Sequence, residues 1–341
     1  MRALLCRSLG SIAELEVAEV ASPLLGPGQV RVGVRASGVN FPDILMVEGK
    51  YQVKPELPFV PGLELAGVVL ECAPDVTHVQ PGERVAAFAR RGGAHAEEAV
   101  VPGGIVVPIP KGMDFVTAAA FPVAYGTAHF ALQHRGRLAA GETLLVLGAS
   151  GGVGLAAVEV GKLMGARVIA AASSPEKLAI AREHGADYAI DYRAENLRDR
   201  VMELTGGRGA DVVFDPVGGA AFEQSVRSVG WEGRILVVGF ASGDIPRVAT
   251  NMILVKNFSV TGVVFGEHSW RFPDDTRARH GQLLGDFAAG HLRPLIWKTY
   301  PLEQGRDALS AMAARRVIGK MVLTPGGLAD GEQAGVTGRE P

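Results

Sequence analysis

The sequence predicts an α/β fold in which a β-rich, barrel-like segment precedes a doubly wound parallel sheet. Three observations carry this. Up to about residue 120, short apolar alternations such as Val30-Val32-Val34 and Gly67-Val68-Val69-Leu70 are cut by Pro27-Gly28, Pro61-Gly62 and Pro81-Gly82, the texture of short strands and turns. From about residue 123, buried-type strands alternate with helix-period segments, which implies a parallel sheet with right-handed crossovers. Between them, LLVLGASGGVG (residues 144–154) runs a strand into a glycine-rich turn and then into a helix.

The elements follow in order. Strands are predicted at Leu144–Leu147, Arg167–Ala171, Tyr188–Ile190, Asp211–Phe214, Arg234–Val238 and Ser259–Phe265. A helix is predicted over Val153–Met164. A second begins at Ser173-Ser174-Pro175, which supply a cap and a first-turn proline, and ends near Gly185. Helical spacing returns at Arg277–Ala289 and Leu302–Ala314. The strand Lys320–Leu323 is expected to return to the first domain. The Gly-rich, charged tail, 325–341, reads as disordered.

Totals bound the function. A chain of 341 residues suits about two domains, and 48% hydrophobic with 21% charged residues describes a packed fold. A net charge of -2 supplies no basic field, so no nucleic-acid partner and no anionic membrane partner is expected. Cys6 and Cys72, the two cysteines, are widely spaced and read as core thiols, not as a disulfide framework or a four-cysteine zinc site. No apolar run reaches the ~18–20 residues of a membrane span. The start, MRALLCRSLGSIAELEV, soon turns acidic, unlike a secretion signal. A reducing, cytoplasmic setting is expected.

The glycine stretch is where chemistry enters. A strand that ends in a glycine turn and opens a helix gathers backbone N–H groups and a positive dipole end at one point, where phosphate fits. The register is Ala149-Ser150-Gly151-Gly152-Val153-Gly154, so Ala149 replaces the first glycine of the dinucleotide fingerprint and Gly148 precedes it. The plain alternative is a tight turn. The context of a full βαβ unit favours nucleotide binding, with Ser150, Gly151, Gly152 and Val153 against the pyrophosphate.

The second strand chooses the cofactor. For NAD, a carboxylate is expected there to bond the ribose 2′-OH. The sequence reads Ala170-Ala171-Ala172-Ser173-Ser174-Pro175-Glu176-Lys177, with no carboxylate at the strand end. Ser173 and Ser174 offer hydroxyls, Lys177 a charge and Tyr192 a further hydroxyl, so NADPH is expected over NADH. Lys177 also reads as a solvated helix lysine, and Ser174 as a simple N-cap. Val217-Gly218 and Gly239-Phe240-Ala241 fall at carboxyl ends of later strands, where ligands bind in such sheets.

At this point the chain resembles the medium-chain dehydrogenase/reductase superfamily, in its zinc-free quinone oxidoreductase branch. The matching stretches are GVNFPDILMVEGKY (38–51), PFVPGLELAGVV (58–69), PGERV (81–85), AAAFPVAYGT (118–127), Gly148–Gly154, Ser173–Lys177, DPVGG (215–219) and GKMVL (319–323). They keep the family order from residue 1 to about 324. The resemblance implies a discontinuous GroES-like catalytic domain, 1–122 and 293–324, with a Rossmann NADPH-binding domain, 123–292, inserted and an active cleft between them.

Zinc-dependent members use a Cys and a His at motif positions that align with Asn40 and Leu63. Neither residue offers the thiolate or imidazole that holds zinc, so no metal is expected. The eight histidines read as surface or capping residues. Without a Lewis acid, an electron-poor quinone or an enone is the accessible acceptor. Asn40 is a candidate amide donor to substrate or nicotinamide ribose, or else an Asx-turn before Phe41-Pro42. Tyr51 matches the proton-donor tyrosine of related enoyl-thioester reductases, or else walls the cleft.

By the same resemblance, Thr127 and Phe265 lie near the nicotinamide, and Lys320 near the ribose and phosphates or at a strand edge. The strand near 259–264 is expected to pair with its mate in a homodimer. An NADPH-dependent quinone or enone reductase is the leading expectation. An enoyl-thioester reductase, with Lys50, Lys54, Arg90 and Arg91 as phosphate contacts, is the close alternative. A non-catalytic NADPH-binding protein is the alternative of another class.

Overall fold

The computed structural model describes residues 1–326. The expected tail, 325–341, lies outside the described residues from 327 onward. The chain forms two compact units. The first takes Met1–Val123, Gly266–Gly290 and the chain from Pro294, and the second takes Ala124–Phe265 and His291–Arg293.

Seven strands open the chain: β1 (Arg2–Leu5), β2 (Glu16–Glu19), β3 (Gln29–Val39), β4 (Glu64–Cys72), β5 (Arg84–Phe88), β6 (Glu98–Pro102) and β7 (Val106–Pro108). The second unit holds β8 (Thr143–Leu147), β9 (Arg167–Ala172), β10 (Tyr188–Asp191), β11 (Ala210–Asp215), β12 (Val229–Val237) and β13 (Ser259–Gly262). β14 (Ile296–Pro301) and β15 (Lys320–Thr324) follow in the first unit.

The main sheet of the first unit runs β14-β15-β3-β4-β5-β7, with β6 also on β3. β3 organises it. Its first half pairs with β6, its last three residues pair with β15, and β4 runs along most of its length, all antiparallel. The alternation in the sequence then has a direct cause. Val30, Val32 and Val34 point to one face and pack with Leu65, Val69, Val85 and Val101. β15 returns to the first unit, as the sequence expects.

In the second unit the strands run β10-β9-β8-β11-β12-β13, all parallel. Leu144, Leu145, Val146 and Leu147 are wholly buried, because β8 is central and covered on both faces. That is why it reads as a continuous apolar run. Chain order reverses at β8, which has β9 on one side and β11 on the other.

Two boundaries differ from expectation. β13 stops at Gly262, level with Val237, the last residue of β12, so no partner remains to carry the ladder to Phe265. Phe265 instead begins a helix, Phe265–Arg271. The segment 266–290, expected in the inserted domain, belongs to the first unit. Its helix Pro273–Ala288 packs there: Phe287 meets Phe121 edge-on at 6.3 Å, Arg277 donates to the Gly104 carbonyl at 3.1 Å, and His280 Nε2 lies 3.1 Å from the Pro122 carbonyl. Among the described residues no helix is long and apolar enough to cross a membrane.

Candidate functional site

In the second unit the loops at the carboxyl ends of neighbouring strands touch one another in series. Ala149 N–H donates to the Ala171 carbonyl at 3.1 Å, joining the ends of β8 and β9. Tyr192 N–H donates to the Ala172 carbonyl at 3.2 Å, joining β10 to β9. On the other side, a Cβ on Gly148 would stand 2.9 Å from Val217 Cγ2, so the loops after β8 and β11 are in contact. Gly239 and Ala241 donate to the carbonyls of Asp215 and Pro216 at 3.3 and 3.0 Å, joining β12 to β11. Ser150, Gly151, Gly152, Val153, Ser173, Lys177, Tyr192, Val217, Gly239 and Phe240 all lie on these loops or open the helices that follow them.

The departure from the fingerprint at Ala149 has a structural explanation. Gly148, with φ +59°, takes the left-handed turn, and Ala149 sits wholly buried beneath it with no such demand. Gly154 is required for close approach, since a Cβ there would lie 2.2 Å from the Gly148 carbonyl oxygen. Gly151 is the N-cap of the helix Gly152–Leu163, and no side chain caps that helix. Its first-turn N–H groups and positive end therefore face the turn without a capping group, which suits an anion.

At the end of β9, Ser174 caps the helix Pro175–Glu183, its hydroxyl accepting from Lys177 N–H at 3.4 Å. Lys177 is half-buried, and its ammonium is pushed below the usual lysine range by burial and by the charge of Arg193. Sequence reasoning missed Arg193. It follows Tyr192, and its backbone N–H is held by Asp191 Oδ1 at 2.9 Å. The signal available was its place two residues past a strand that ends level with Ala172. Asp215, in the DPVGG stretch, is a second residue whose part the sequence pattern does not single out. Burial raises its pKa, and its Oδ1 accepts from Val217 and Gly218 at 2.8 and 2.9 Å, which fixes that loop.

Thr127 lies in the helix Pro122–His129, half-buried, just before a π-helical stretch, Phe130–Arg135. Phe265 is buried, its ring 6.2 Å from that of Phe130.

The first unit holds a closed polar cluster. Asn40, Asp43, Glu64, His95 and Lys320 are all buried. Lys320 Nζ donates to the Val39 carbonyl at 3.1 Å, to Asn40 Oδ1 at 2.6 Å and to Glu64 Oε1 at 2.6 Å. Asn40 Nδ2 donates to Glu64 Oε1 at 2.8 Å and to the Gly38 carbonyl at 3.2 Å. Glu64 Oε2 accepts from Val123 N–H at 2.7 Å.

Two expectations change here. Lys320 spends its three donors inside the unit, so it is placed to anchor Asn40 and not to reach out to a cofactor phosphate. Asn40 commits both ends of its amide to protein partners. As the N-cap of the helix Phe41–Val47 it combines the turn role with a buried network, and no donor is left for a substrate carbonyl. Leu63 is buried. Among the described residues no group of three or more His, Cys, Asp or Glu side chains is placed to hold a metal ion.

Next to it, His95 Nδ1 lies 2.6 Å from Ser37 Oγ, and His95 Nε2 is 3.6 Å from Asp43 Oδ2, which accepts from Asn40 N–H at 2.7 Å. His95 and His280 are buried, where surface or capping positions are expected of the histidines. Burial lowers the pKa of His280.

Tyr51 follows this helix, its N–H donating to the Leu45 carbonyl at 3.0 Å. It is half-buried, and burial and the charge of Asp43 raise its pKa while Arg90 opposes them. Of the basic candidates, Lys50 pairs with Glu48 at 2.9 Å and Arg90 with Glu267 at 2.5 Å. Arg90 and Arg91 line a groove of about 520 Å³ with Pro27, Val101, Ile105 and Trp270, which neither Asn40 and Tyr51 nor the residues of the strand-end loops line.

The two units define a class: a GroES-like, mainly antiparallel domain carried on one chain with a Rossmann-type parallel sheet. Residues 26–111 match the alcohol dehydrogenase GroES-like domain model, and residues 152–277 match the zinc-binding dehydrogenase model. The quinone oxidoreductase-like protein 2 homolog of Nematostella vectensis is 43% identical over 324 residues, covering 94% of this chain and 88% of that protein. The quinone oxidoreductase of Pseudomonas syringae pv. Tomato DC3000 matches with a TM-score of 0.90 at 32% identity, over 95% of this chain and 99% of that one. That of Escherichia coli, solved complexed with NADPH, matches with a TM-score of 0.89 at 26% identity, over 95% and 100%. The chain therefore belongs to the medium-chain dehydrogenase/reductase superfamily, as an oxidoreductase of its quinone oxidoreductase-like branch.

Proposed function

We propose that the protein is an NADPH-dependent, metal-independent reductase of quinones and of C=C bonds conjugated to a carbonyl. The observation that carries the reading is the series of touching strand-end loops around β8, with an uncapped helix start at its glycine turn. These residues fit NADPH. Ser150–Val153 receive the pyrophosphate. Ser173, Lys177, Tyr192 and Arg193 receive the 2′-phosphate, where two cations oppose one another and no carboxylate ends β9. Val217, Gly239 and Phe240 line the next loops, with Thr127 and Phe265 toward the nicotinamide. The NADPH in the E. coli relative supports the choice. When bound, NADPH supplies the hydride.

Metal independence rests on the first unit. At the positions where zinc-dependent relatives place their ligands, Asn40 and Leu63 offer neither thiolate nor imidazole. Lys320 already puts an ammonium 2.6 Å from Asn40 Oδ1, and that positive charge disfavours a cation at the same place. Tyr51 is read as the proton source for a reduced enone: a tyrosine hydroxyl is protonated at neutral pH, while burial and the charge of Asp43 raise its pKa and make that proton harder to give up. Asn40, Glu64 and Lys320 hold the framework from which it projects.

The enoyl-thioester reading is less favoured, because two of its four basic candidates are neutralised by Glu48 and Glu267. The chain is further proposed to form a homodimer through the β13 edge; close by in the chain, Leu254 and Val255 on the helix Thr250–Lys256 and Val264 after β13 are exposed. A monomer mass by light scattering at micromolar concentration contradicts that. For the activity, KM for NADPH and NADH is compared in the wild type. NADPH is expected to be preferred, and equal preference sinks the cofactor assignment. Tyr51→Phe is expected to lose enone turnover, and unchanged turnover removes Tyr51 as the proton donor.

A further inference from the structure

We propose that the groove of the first unit is a second small-molecule site, suited to a planar aromatic carboxylate, with Arg91 taking the carboxylate and Trp270 stacking on the ring. It does not depend on the NADPH and acceptor chemistry proposed above.

The groove is assembled from four stretches of chain, all in the first unit: 27–29, 89–92, 100–105 and 269–273. They hold one another. Gly103 N–H donates to the Gly28 carbonyl at 2.7 Å, and Arg277 donates to the Gly104 carbonyl at 3.1 Å. Gly28 N–H in turn donates to Asp75 Oδ1 at 2.9 Å. Gly104 lies so near the start of the helix Pro273–Ala288 that a Cβ on it would stand 2.9 Å from Pro273 Cβ. The walls are therefore formed without a ligand, which removes an ordering cost from binding. The volume of about 520 Å³ falls within the range of small-molecule sites, about 300–1,000 Å³.

Its chemistry is one-sided. Two arginines line the groove, and no Asp or Glu does. The arginines differ. Arg90 is committed to Glu267 at 2.5 Å. Arg91 is exposed, and among the described residues it has no ion-pair or hydrogen-bond partner. Gln29 accepts Gly26 N–H with its Oε1 at 2.7 Å, which leaves its amide NH2 group as a further donor. Most of the remaining lining is apolar. Ala89, Val101 and Ile105 are buried beneath the groove, and Pro27, Pro102 and Pro273 join them. Trp270 stands out, because its large apolar ring is 53% exposed. The Arg90 guanidinium is 5.6 Å from the ring centre and, held by Glu267, helps to keep the indole in place.

These features select the ligand. A bare inorganic anion would leave the indole and the apolar floor in water. A neutral ring would leave Arg91 without a counter-charge. One free guanidinium matches the two oxygens of one carboxylate in a bidentate pair. An indole matches a flat ring by offset stacking. An aromatic carboxylate meets both demands.

The probe is 2-naphthoate, titrated calorimetrically into the full chain. It is expected to saturate one site per chain, and its neutral analogue 2-naphthamide is expected to bind about tenfold more weakly. Arg91→Gln is expected to lose about tenfold for naphthoate and to leave naphthamide unchanged, whereas Trp270→Leu weakens both. Both substitutions fall at exposed side chains, so melting temperatures are expected to stay within about 2 °C of wild type. In a nitrogen–proton correlation spectrum, three tryptophan indole signals are present, and only the one missing from Trp270→Leu is expected to move as naphthoate is added. The same naphthoate affinity is expected with saturating NADPH present. No saturation at millimolar naphthoate, equal binding of naphthamide by the wild type, or movement confined to another indole signal overturns the proposal. Competition with NADPH overturns it as well, by putting the probe at the nucleotide loops.

Discussion

The glycine turn after β8 and the Asn40–Glu64–Lys320 cluster are built from opposite materials. The turn is backbone: a left-handed glycine, a buried alanine and an uncapped helix start. Its polar groups are left available. The cluster is mainly side chain: an ammonium, a carboxylate and an amide that, with the Gly38 and Val39 carbonyls and the Val123 N–H, satisfy one another out of water. The first is suited to a ligand in the proposed reading, and the second holds a framework still. A backbone site tolerates variation in side chains but no added Cβ at Gly154. A closed side-chain network tolerates no loss of a single partner.

That contrast sets the largest expected effect. Glu64→Gln or Lys320→Met alone leaves an uncompensated charge in a buried site and is expected to cost about 3–5 kcal/mol by denaturant unfolding. The double variant is expected to recover much of the loss, because no lone charge remains. Single variants within ~0.5 kcal/mol of wild type would break the comparison, since surface substitutions behave that way.

Gly154→Val comes next. Its side chain meets the Gly148 carbonyl, and overpacking of this kind costs about 1–3 kcal/mol. NADPH binding, read by isothermal titration, is expected to vanish in protein that still folds.

Smaller again are Lys177→Ala and Arg193→Ala. Each is expected to weaken NADPH about tenfold, or about 1.4 kcal/mol, and to leave NADH unchanged. A matching loss for both cofactors would place these charges away from the 2′-phosphate.

The smallest effect belongs to pH. Asp275 is held down to about 2 by the hydrogen bond from Arg279 and by His268. A depressed carboxylate stabilises the fold above its ordinary pKa of 3.8, and that contribution fades as pH falls toward 2. Melting temperature in acid is therefore expected to fall less steeply in Asp275→Asn. The pair is part-exposed, so the difference is expected to be slight.

What the sequence revealed follows the same division. The parallel sheet was legible because buried central strands are continuous apolar runs, as at Leu144–Leu147. The glycine turn was legible because close approach of backbone demands glycine at fixed spacing. The cluster was not, because Lys320 and Asn40 are 280 residues apart and no local pattern joins them. Each was noticed alone, and each was given an outward role that the buried hydrogen bonds reassign. The helix Pro273–Ala288 was legible as a helix, but which unit it packs on is decided by Phe121, Gly104 and Pro122, far away in the chain.

The most direct measurement is steady-state NADPH oxidation by the purified chain against quinones, enals and enoyl thioesters, with and without a metal chelator. Turnover is expected with quinones and simple enones, unaffected by the chelator, and weaker with NADH. NADPH binding with no oxidation by any acceptor would contradict the account and describe a binding protein, and chelator-sensitive turnover would contradict its metal-independent chemistry.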